Sequence, residues 1–116
     1  MKVFRVQYTV RSDFVEENKK NTEAVMRELR TLNKEDLRYA QYLHEDGKTF
    51  MHLVHYNTAE AENVLTALQS FKHFRARLDG QLEVPPKSEA FQLVQSSAAI
   101  FPPARWCWAI RRRCPR

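Results

Sequence analysis

Residues 37–57, LRYAQYLHEDGKTFMHLVHYN, carry the strongest structural signal in the chain. Two runs of alternating side chains flank Asp46-Gly47, a pair preferred in two-residue β-turns because both central positions take a positive φ. The segment is therefore predicted to form a β-hairpin. The register set by that turn pairs Glu45 with Lys48, Leu43 with Phe50, Gln41 with His52, Tyr39 with Val54 and Leu37 with Tyr56.

The residues before the hairpin predict a strand and then a helix. Residues 3–10 alternate, which places Phe4, Val6, Tyr8 and Val10 on one face of a strand. Asp13 and Glu16 have the spacing of a capping box at a helix start. The helix is predicted to end at Asn33 and Lys34, and its apolar stripe consists of Thr22, Val25, Met26, Leu29 and Leu32.

The residues after the hairpin predict a second helix and a last strand. Asn57 and Glu60 offer another capping box, and the stripe that follows is Ala61, Val64, Leu65, Leu68 and Phe71. Residues 71–80 either continue this helix or add a short one, with Gly80 as the stop. Pro85-Pro86 indicates a loop, and EAFQLVQ, residues 89–95, indicates the final strand.

The predicted order is β-α-β-β-α-β, the ferredoxin-like arrangement of the α+β class. Right-handed crossovers place the first strand between the third and fourth, in a four-stranded antiparallel sheet with the helices on one face. Residues 1–96 are predicted to form this domain. Residues 97–116 are predicted to be a basic extension outside the core.

This sequence resembles the dimeric α+β barrel superfamily, and within it the antibiotic-biosynthesis-monooxygenase-like branch. The resemblance lies in the first strand, the tyrosine-rich hairpin, NTAEAENVLTALQSFKHFRARLDG (residues 57–80) and the strand after Pro85-Pro86. It implies a homodimer whose two sheets pack face to face, with a cavity between sheet and helices in each subunit. Members include cofactor-independent oxygenases of small aromatic substrates and haem-degrading enzymes.

The second face of the hairpin independently favours a dimer. It is predicted to carry Ala40, Tyr42, Met51 and Leu53, which is too apolar a set to leave in water. An open sheet with helices on one side normally has a polar second face. Burial against a second subunit is therefore expected.

The first face of the hairpin suggests a binding site. There the polar pair Gln41 and His52 lies within an aromatic wall, a mixture that suits a small, flat organic ligand. His52 is the candidate catalytic base, because the ordinary pKa of histidine is near neutrality. The alternative is that Gln41 and His52 are only a satisfied cross-strand pair in the core. The candidate substrate-binding residues are Tyr8, Tyr39, Gln41, Phe50, Tyr56 and His73.

His73 has two interpretations. It lies near the end of the second helix, where a positive group favours the helix dipole. It is alternatively placed at the cavity mouth with Phe74 and Arg77.

Several chemistries are disfavoured by the residues themselves. Residues 1–96 contain no cysteine, the histidines form no H-x-E or H-E-x-x-H motif, and only two glycines are available for a phosphate loop. We therefore expect no metal and no cofactor. Haem-degrading relatives use a tryptophan within the domain, whereas Trp106 and Trp108 lie beyond residue 96, so haem degradation is disfavoured.

The positive charge belongs to the extension. All 14 acidic residues and 14 of the 19 basic ones lie in residues 1–96, so the domain is formally neutral. Nucleic acid is therefore not an expected partner. No apolar run approaches the roughly 18 residues that span a bilayer, and residues 1–10 indicate a strand rather than a signal peptide. A cytoplasmic location without membrane contact is expected.

The extension has two interpretations. Its tryptophans and arginines offer a weak handle for anionic membranes or RNA, or the segment is dispensable. Cys107 and Cys114 could pair only if the residues between them turn back, because in a helix they would lie about 10 Å apart, beyond the reach of a disulfide.

Two functions follow. The protein is either a cofactor-independent monooxygenase acting on a small aromatic substrate, or a non-catalytic dimer that binds a metabolite or partner, for example in a stress response.

Overall fold

The computed structural model describes residues 1–101, and the predictions made for Trp106, Cys107, Trp108, Cys114 and the terminal arginines lie outside this range. The strands are β1 (Lys2–Val10), β2 (Leu37–Leu43), β3 (Thr49–Tyr56) and β4 (Leu82–Phe91). The helices are α1 (Val15–Leu32), α2 (Ala59–Ala67) and α3 (Gln69–Arg77), with a short 3-10 turn at Ser12–Phe14 before α1.

The four strands form one antiparallel sheet in the order β2-β3-β1-β4. β1 therefore lies between β3 and β4, which confirms the predicted ferredoxin-like α+β topology. All three helices contact the same side of the sheet, here called the inner face, and the buried core lies between them. The opposite side is the outer face.

The hairpin register is confirmed by the pairs Leu43–Phe50, Gln41–His52, Tyr39–Val54 and Leu37–Tyr56. The predicted turn conformation is wrong at one position. Gly47 has the predicted positive φ, at 76°. Asp46 does not have a positive φ, because among residues 1–101 Asn33 is the only non-glycine residue that does. Instead, Asp46 Oδ1 accepts hydrogen bonds from the backbone N–H groups of Lys48 and Thr49, at 2.9 and 2.8 Å. The aspartate side chain thus stabilises the turn.

The predicted capping box at the start of α1 is wrong. No side chain caps this helix, and the Asp13 carboxylate instead accepts a hydrogen bond of 3.0 Å from Arg11. The 3-10 turn supplies the entry to α1. The predicted end is confirmed, because Asn33 adopts the left-handed conformation and its N–H donates to the carbonyls of Leu29 and Arg30.

The second predicted helix is two helices. Leu68 has an extended conformation, with ψ 135°, and it separates α2 from α3. A short extra helix was one of the two predictions for residues 71–80. The cap of α2 is Thr58 rather than Asn57: the Thr58 hydroxyl accepts a hydrogen bond of 3.1 Å from the N–H of Ala61. The two residues have similar capping preferences, so the sequence pattern was off by one position.

The predicted loop at Pro85-Pro86 is wrong, because both prolines lie within β4. The predicted limits of the last strand are also wrong, because β4 begins at Leu82 and ends at Phe91. β4 is an edge strand, where the missing N–H of proline is tolerated. The register of β4 against β1 also shifts between Gln7 and Thr9, opposite the two prolines. A bulged edge therefore accommodates a pair that would break an inner strand.

The outer face is only partly covered by the described residues. Ala40, Met51 and Leu53 are half-buried, and Tyr42 is 51% exposed. After β4 the chain runs along one end of the outer face, where residues 91–95 border a groove with Val3, Leu53 and His55. The ring of Phe101 reaches β2, and its centre lies 5.3 Å from the Arg38 guanidinium. Cover by a second subunit stays a prediction. Within residues 1–101, no helix combines the length and apolarity needed to cross a membrane.

Candidate functional site

A cavity of about 350 Å³ lies between the inner face of the sheet and helices α2 and α3. This volume suits a small organic ligand. Its wall combines aromatic and aliphatic side chains, with two charged residues, Glu62 and Arg75, also in the lining. The aromatic residues that line it are Phe4, Tyr8, Tyr39, Tyr56, Phe71 and Phe74, together with the ring of His52.

His52 occupies the centre of a hydrogen-bonded network in this wall. Its Nε2 lies 2.8 Å from the Tyr8 hydroxyl and its Nδ1 lies 2.6 Å from the Tyr39 hydroxyl. The three residues come from the adjacent strands β1, β2 and β3, all at inner-face positions. The strand register therefore places one imidazole between two phenols.

Two amide side chains indicate which ring nitrogen carries the proton. Asn18 Nδ2 donates to the Tyr8 hydroxyl at 2.9 Å, so the Tyr8 proton remains available for His52 Nε2. In the structure, Gln41 Oε1 lies 2.9 Å from the Thr22 hydroxyl and its NH₂ group faces the same Nε2, at 3.4 Å. On these two amide orientations we assign Nε2 as the acceptor.

The same assignment fixes the role of Tyr39. A neutral imidazole that accepts at Nε2 carries its proton at Nδ1 and donates it to the Tyr39 oxygen. The hydroxyl proton of Tyr39 is then not used by His52. Because Tyr39 lines the cavity, this proton is available to a ligand there.

The buried groups of the network are neutral at pH 7. Burial lowers the pKa of His52 from its ordinary value to about 4. Burial also raises the pKa of Tyr8 and of Tyr39 well above the ordinary value of a phenol. Burial, and secondarily the charge of Glu62, raises the pKa of Tyr56 to about 12. The site therefore offers hydrogen-bonding groups without buried charge.

Aromatic packing holds the imidazole in place. The rings of His52 and Phe74 are stacked, with centroids 5.5 Å apart and an interplanar angle of 22°. Tyr8 stacks in turn on Phe50, with centroids 5.7 Å apart. These contacts and the two phenol hydrogen bonds restrict rotation of the His52 ring.

The predicted site residues do not all meet at the cavity. Tyr8, Tyr39, His52 and Tyr56 line it, whereas Phe50 lies fully buried beneath Tyr8. The Gln41 side chain reaches His52 but lines a neighbouring groove against α1. His73 is exposed on α3 and is not among the lining residues, so the predicted contact with a ligand at the cavity mouth has no counterpart here.

Two functional residues, Asn18 and Arg75, were missed at the sequence level. Asn18 is fully buried and bonds Tyr8, although it lies among charged residues. Its position four residues before Thr22, on the same side of the helix, is the signal that identifies it. Arg75 carried no such signal. Phe74, predicted beside His73 at the cavity mouth, lines the cavity, whereas Arg77, predicted there with it, does not.

The described residues show no group of three or more histidine, cysteine or acidic side chains able to hold a metal ion. The expectation of a metal-free and cofactor-free protein stays a prediction.

Comparisons with known proteins find similarity in structure rather than in sequence. No model of a known protein family matches the chain, and no curated protein sequence matches it. A putative antibiotic biosynthesis monooxygenase from Nitrosomonas europaea superposes with a TM-score of 0.70 at 16% identity, over 82% of this chain and 100% of that one.

Two further solved structures agree with this similarity. One, from Caulobacter crescentus, is also described as a putative antibiotic biosynthesis monooxygenase; its TM-score is 0.66 at 13% identity, over 81% and 90% of the two chains. The other is a variant of SnoaB, a cofactor-independent oxygenase from Streptomyces nogalater, with a TM-score of 0.60 at 14% identity, over 84% and 97%. The chain therefore has the same α+β fold as these solved structures, as its resemblance predicted.

Proposed function

We propose that this protein binds a small aromatic molecule in the cavity and oxidises it as a cofactor-independent monooxygenase. The observation that carries the proposal is the His52 ring held between two phenols in an aromatic cavity, with one of those phenols, Tyr39, free to donate to a ligand. The fold shared with SnoaB, which is described as a cofactor-independent oxygenase, supports the same reaction class.

Tyr39 is the proposed contact with the reacting end of the substrate. The chain of donors from His52 Nδ1–H through the Tyr39 hydroxyl ends at the substrate oxygen, and each hydrogen bond polarises the next. Such a donor stabilises the anion of a phenolic substrate more than the neutral phenol. The anion is the electron-rich form that gives electrons to O₂.

The proposed net reaction balances with O₂ as the only oxidant. A phenol and O₂ yield a quinone and water: one oxygen atom forms the new carbonyl, and the other leaves in water with the two hydrogens lost from the phenol. The cavity wall supplies no electrons. Its contribution is to bind, orient and exclude water from the substrate anion.

His52 is proposed to act mainly through Tyr39. A group with a pKa of about 4 is a weak base near pH 7, and both of its ring nitrogens already have partners. Its role as a direct general base, predicted from its residue type, therefore has less support than a positioning role.

Oxygen consumption tests the proposal. A panel of naphthols and hydroquinones is supplied under ¹⁸O₂, and uptake and product mass are measured for the wild type, Tyr39→Phe and His52→Ala. We expect one ¹⁸O atom per product and at least a hundredfold loss of kcat in Tyr39→Phe, in line with the loss of one donor to a developing oxyanion. His44→Ala, at the exposed hairpin turn, is the control. Undiminished turnover in Tyr39→Phe would contradict the assigned role.

A second candidate is the non-catalytic ligand-binding dimer. It is favoured by the closure of the network, because His52 and Tyr8 are satisfied within the protein and need no substrate. Binding of the same panel without oxygen uptake would establish this alternative.

We also propose that the protein is a homodimer formed through the outer face. The half-exposed Tyr42, next to the half-buried Met51 on the paired strand, supports this assembly. Native mass spectrometry at micromolar concentration is expected to give twice the chain mass of 13.8 kDa. A monomer under these conditions would overturn the proposal.

A further inference from the structure

Arg75 is a charged residue of the cavity wall that has no ion-pair partner among residues 1–101. The other charged residue in the lining, Glu62, has its carboxylate 3.6 Å from the Lys2 ammonium group. Arg75, by contrast, has no carboxylate of residues 1–101 within ion-pair distance. Among the described residues, this exposed guanidinium at the edge of the cavity therefore has no anionic partner.

The neighbouring arginine on α3 shows the contrast. Arg77, two residues further along, points toward α1 and hydrogen-bonds the Glu17 carboxylate through Nε at 2.9 Å. Arg5 on the outer face is likewise paired, with Glu89 at 2.7 Å. The two arginines of α3 therefore have different surroundings: Arg77 links α3 to α1, and Arg75 borders the cavity.

A line of rings connects His52 to Arg75. The His52 ring stacks on Phe74 at 5.5 Å, Phe74 contacts Phe71 at 5.9 Å, and the Arg75 guanidinium lies 5.8 Å from the centre of the Phe71 ring. The cation–π contact occupies one face of the guanidinium and leaves its N–H edge for other partners. Tyr39, which hydrogen-bonds His52 at one end of this line of rings, and Arg75 at the other end both line the cavity.

We propose that Arg75 binds a carboxylate on the substrate, at the end of the molecule opposite the atom that faces Tyr39. The substrate class is then an aromatic carboxylate, and this inference rests on the proposed function of the cavity. The planar guanidinium matches a carboxylate in a two-point hydrogen bond. The edge position of Arg75 keeps the anion partly hydrated, so its burial is not penalised strongly.

Two probes of equal shape test the inference. Binding of 2-naphthoate and of 2-naphthamide to the full chain is measured by isothermal titration calorimetry, because the two differ in charge and hardly in size. We expect the carboxylate to bind about tenfold more tightly, the effect of one charge-assisted hydrogen-bonded contact. In Arg75→Gln its affinity is expected to fall to that of the amide, with amide binding unchanged.

Arg77→Gln is the matched control, since it removes an equal charge from the same helix outside the cavity. It is expected to leave the preference for 2-naphthoate intact. Equal binding of both probes to the wild type, or equal effects of the two arginine substitutions, would overturn the role of Arg75 and leave the cavity as a neutral aromatic site. Failure of both probes to bind would overturn the proposed function together with this inference.

Discussion

Side chains alternate between the two faces of the sheet, but the inner and outer faces differ in burial and in hydrogen bonding. On the inner face, covered by the helices of the same chain, His52 is 3% exposed and both its nitrogens are hydrogen-bonded. On the outer face, His55 is half-buried near Val3 and Leu53 in an open groove, and Tyr42 is half exposed. The difference lies in what covers each face. On the covered face both nitrogens of the buried histidine have hydrogen-bond partners, whereas the open face keeps apolar side chains in contact with solvent.

The difference between the faces can be measured by substituting His52 on the inner face and His55 on the outer face. His52→Ala is expected to lower the free energy of unfolding by about 3 kcal/mol, because it leaves a cavity and removes one hydrogen bond from each of the hydroxyls of Tyr8 and Tyr39. His55→Ala is expected to cost about 1 kcal/mol or less. Urea denaturation at one protein concentration measures both. Equal losses would contradict the distinction between the faces.

The pH dependence of stability sharpens the same distinction. The pKa of His52 is lowered from 6.5 to about 4 by burial, so protonation favours the unfolded state. The stabilisation is complete above pH 6.5 and is lost as pH falls toward 4, by about 1.4 kcal/mol per pH unit.

His52→Gln provides the control for this pH dependence. It removes the titrating group, and the slope between pH 6.5 and 4 is expected to flatten in denaturation measurements. An unchanged slope in this variant would show that another group is responsible.

The outer face is tested by placing a charge on it. Tyr42→Glu is expected to convert the proposed dimer to a monomer in native mass spectrometry, since a carboxylate would have to be buried between two sheets. The inner cavity should be unaffected, because Tyr42 points away from it on β2. A Tyr42→Glu protein that stays dimeric would place the interface elsewhere.

The smallest effect is expected from removing residues 102–116. A chain that ends at Phe101 keeps the contact of that ring with Arg38 and every residue of the cavity. Its melting temperature is expected to match that of the full chain within about 2 °C, which corresponds to less than about 0.5 kcal/mol. A larger drop, measured by circular dichroism, would assign the extension a structural role on the domain.

Local patterns predicted the parts of the fold that depend on neighbouring residues. The hairpin register followed from alternation around Asp46-Gly47, and that register alone brought Tyr39 and His52 onto one face. The placement of Pro85-Pro86 failed because tolerance of proline depends on whether a strand lies at the edge of the sheet, which is a non-local property.

The candidate site divides in the same way. Its strand residues were predictable because strand positions alternate with a period of two, so a residue's face follows from the register. Asn18 and Arg75 come from helices, and the rotation of a helix against a sheet is set by packing as well as by its own sequence. Arg75 and Arg77 lie two residues apart in the same short stretch of sequence. Only the packed structure shows that Arg75 lines the cavity and Arg77 does not.

The proposed binding of an aromatic ligand beside the His52 network can be followed by ¹⁵N nuclear magnetic resonance of the histidine rings during a titration with 2-naphthoate at pH 7. We expect a neutral His52 protonated at Nδ1, whose signals shift with ligand while those of His55 do not. A His52 that is charged at this pH, or that does not respond while ligand binds elsewhere, would contradict the proposed site.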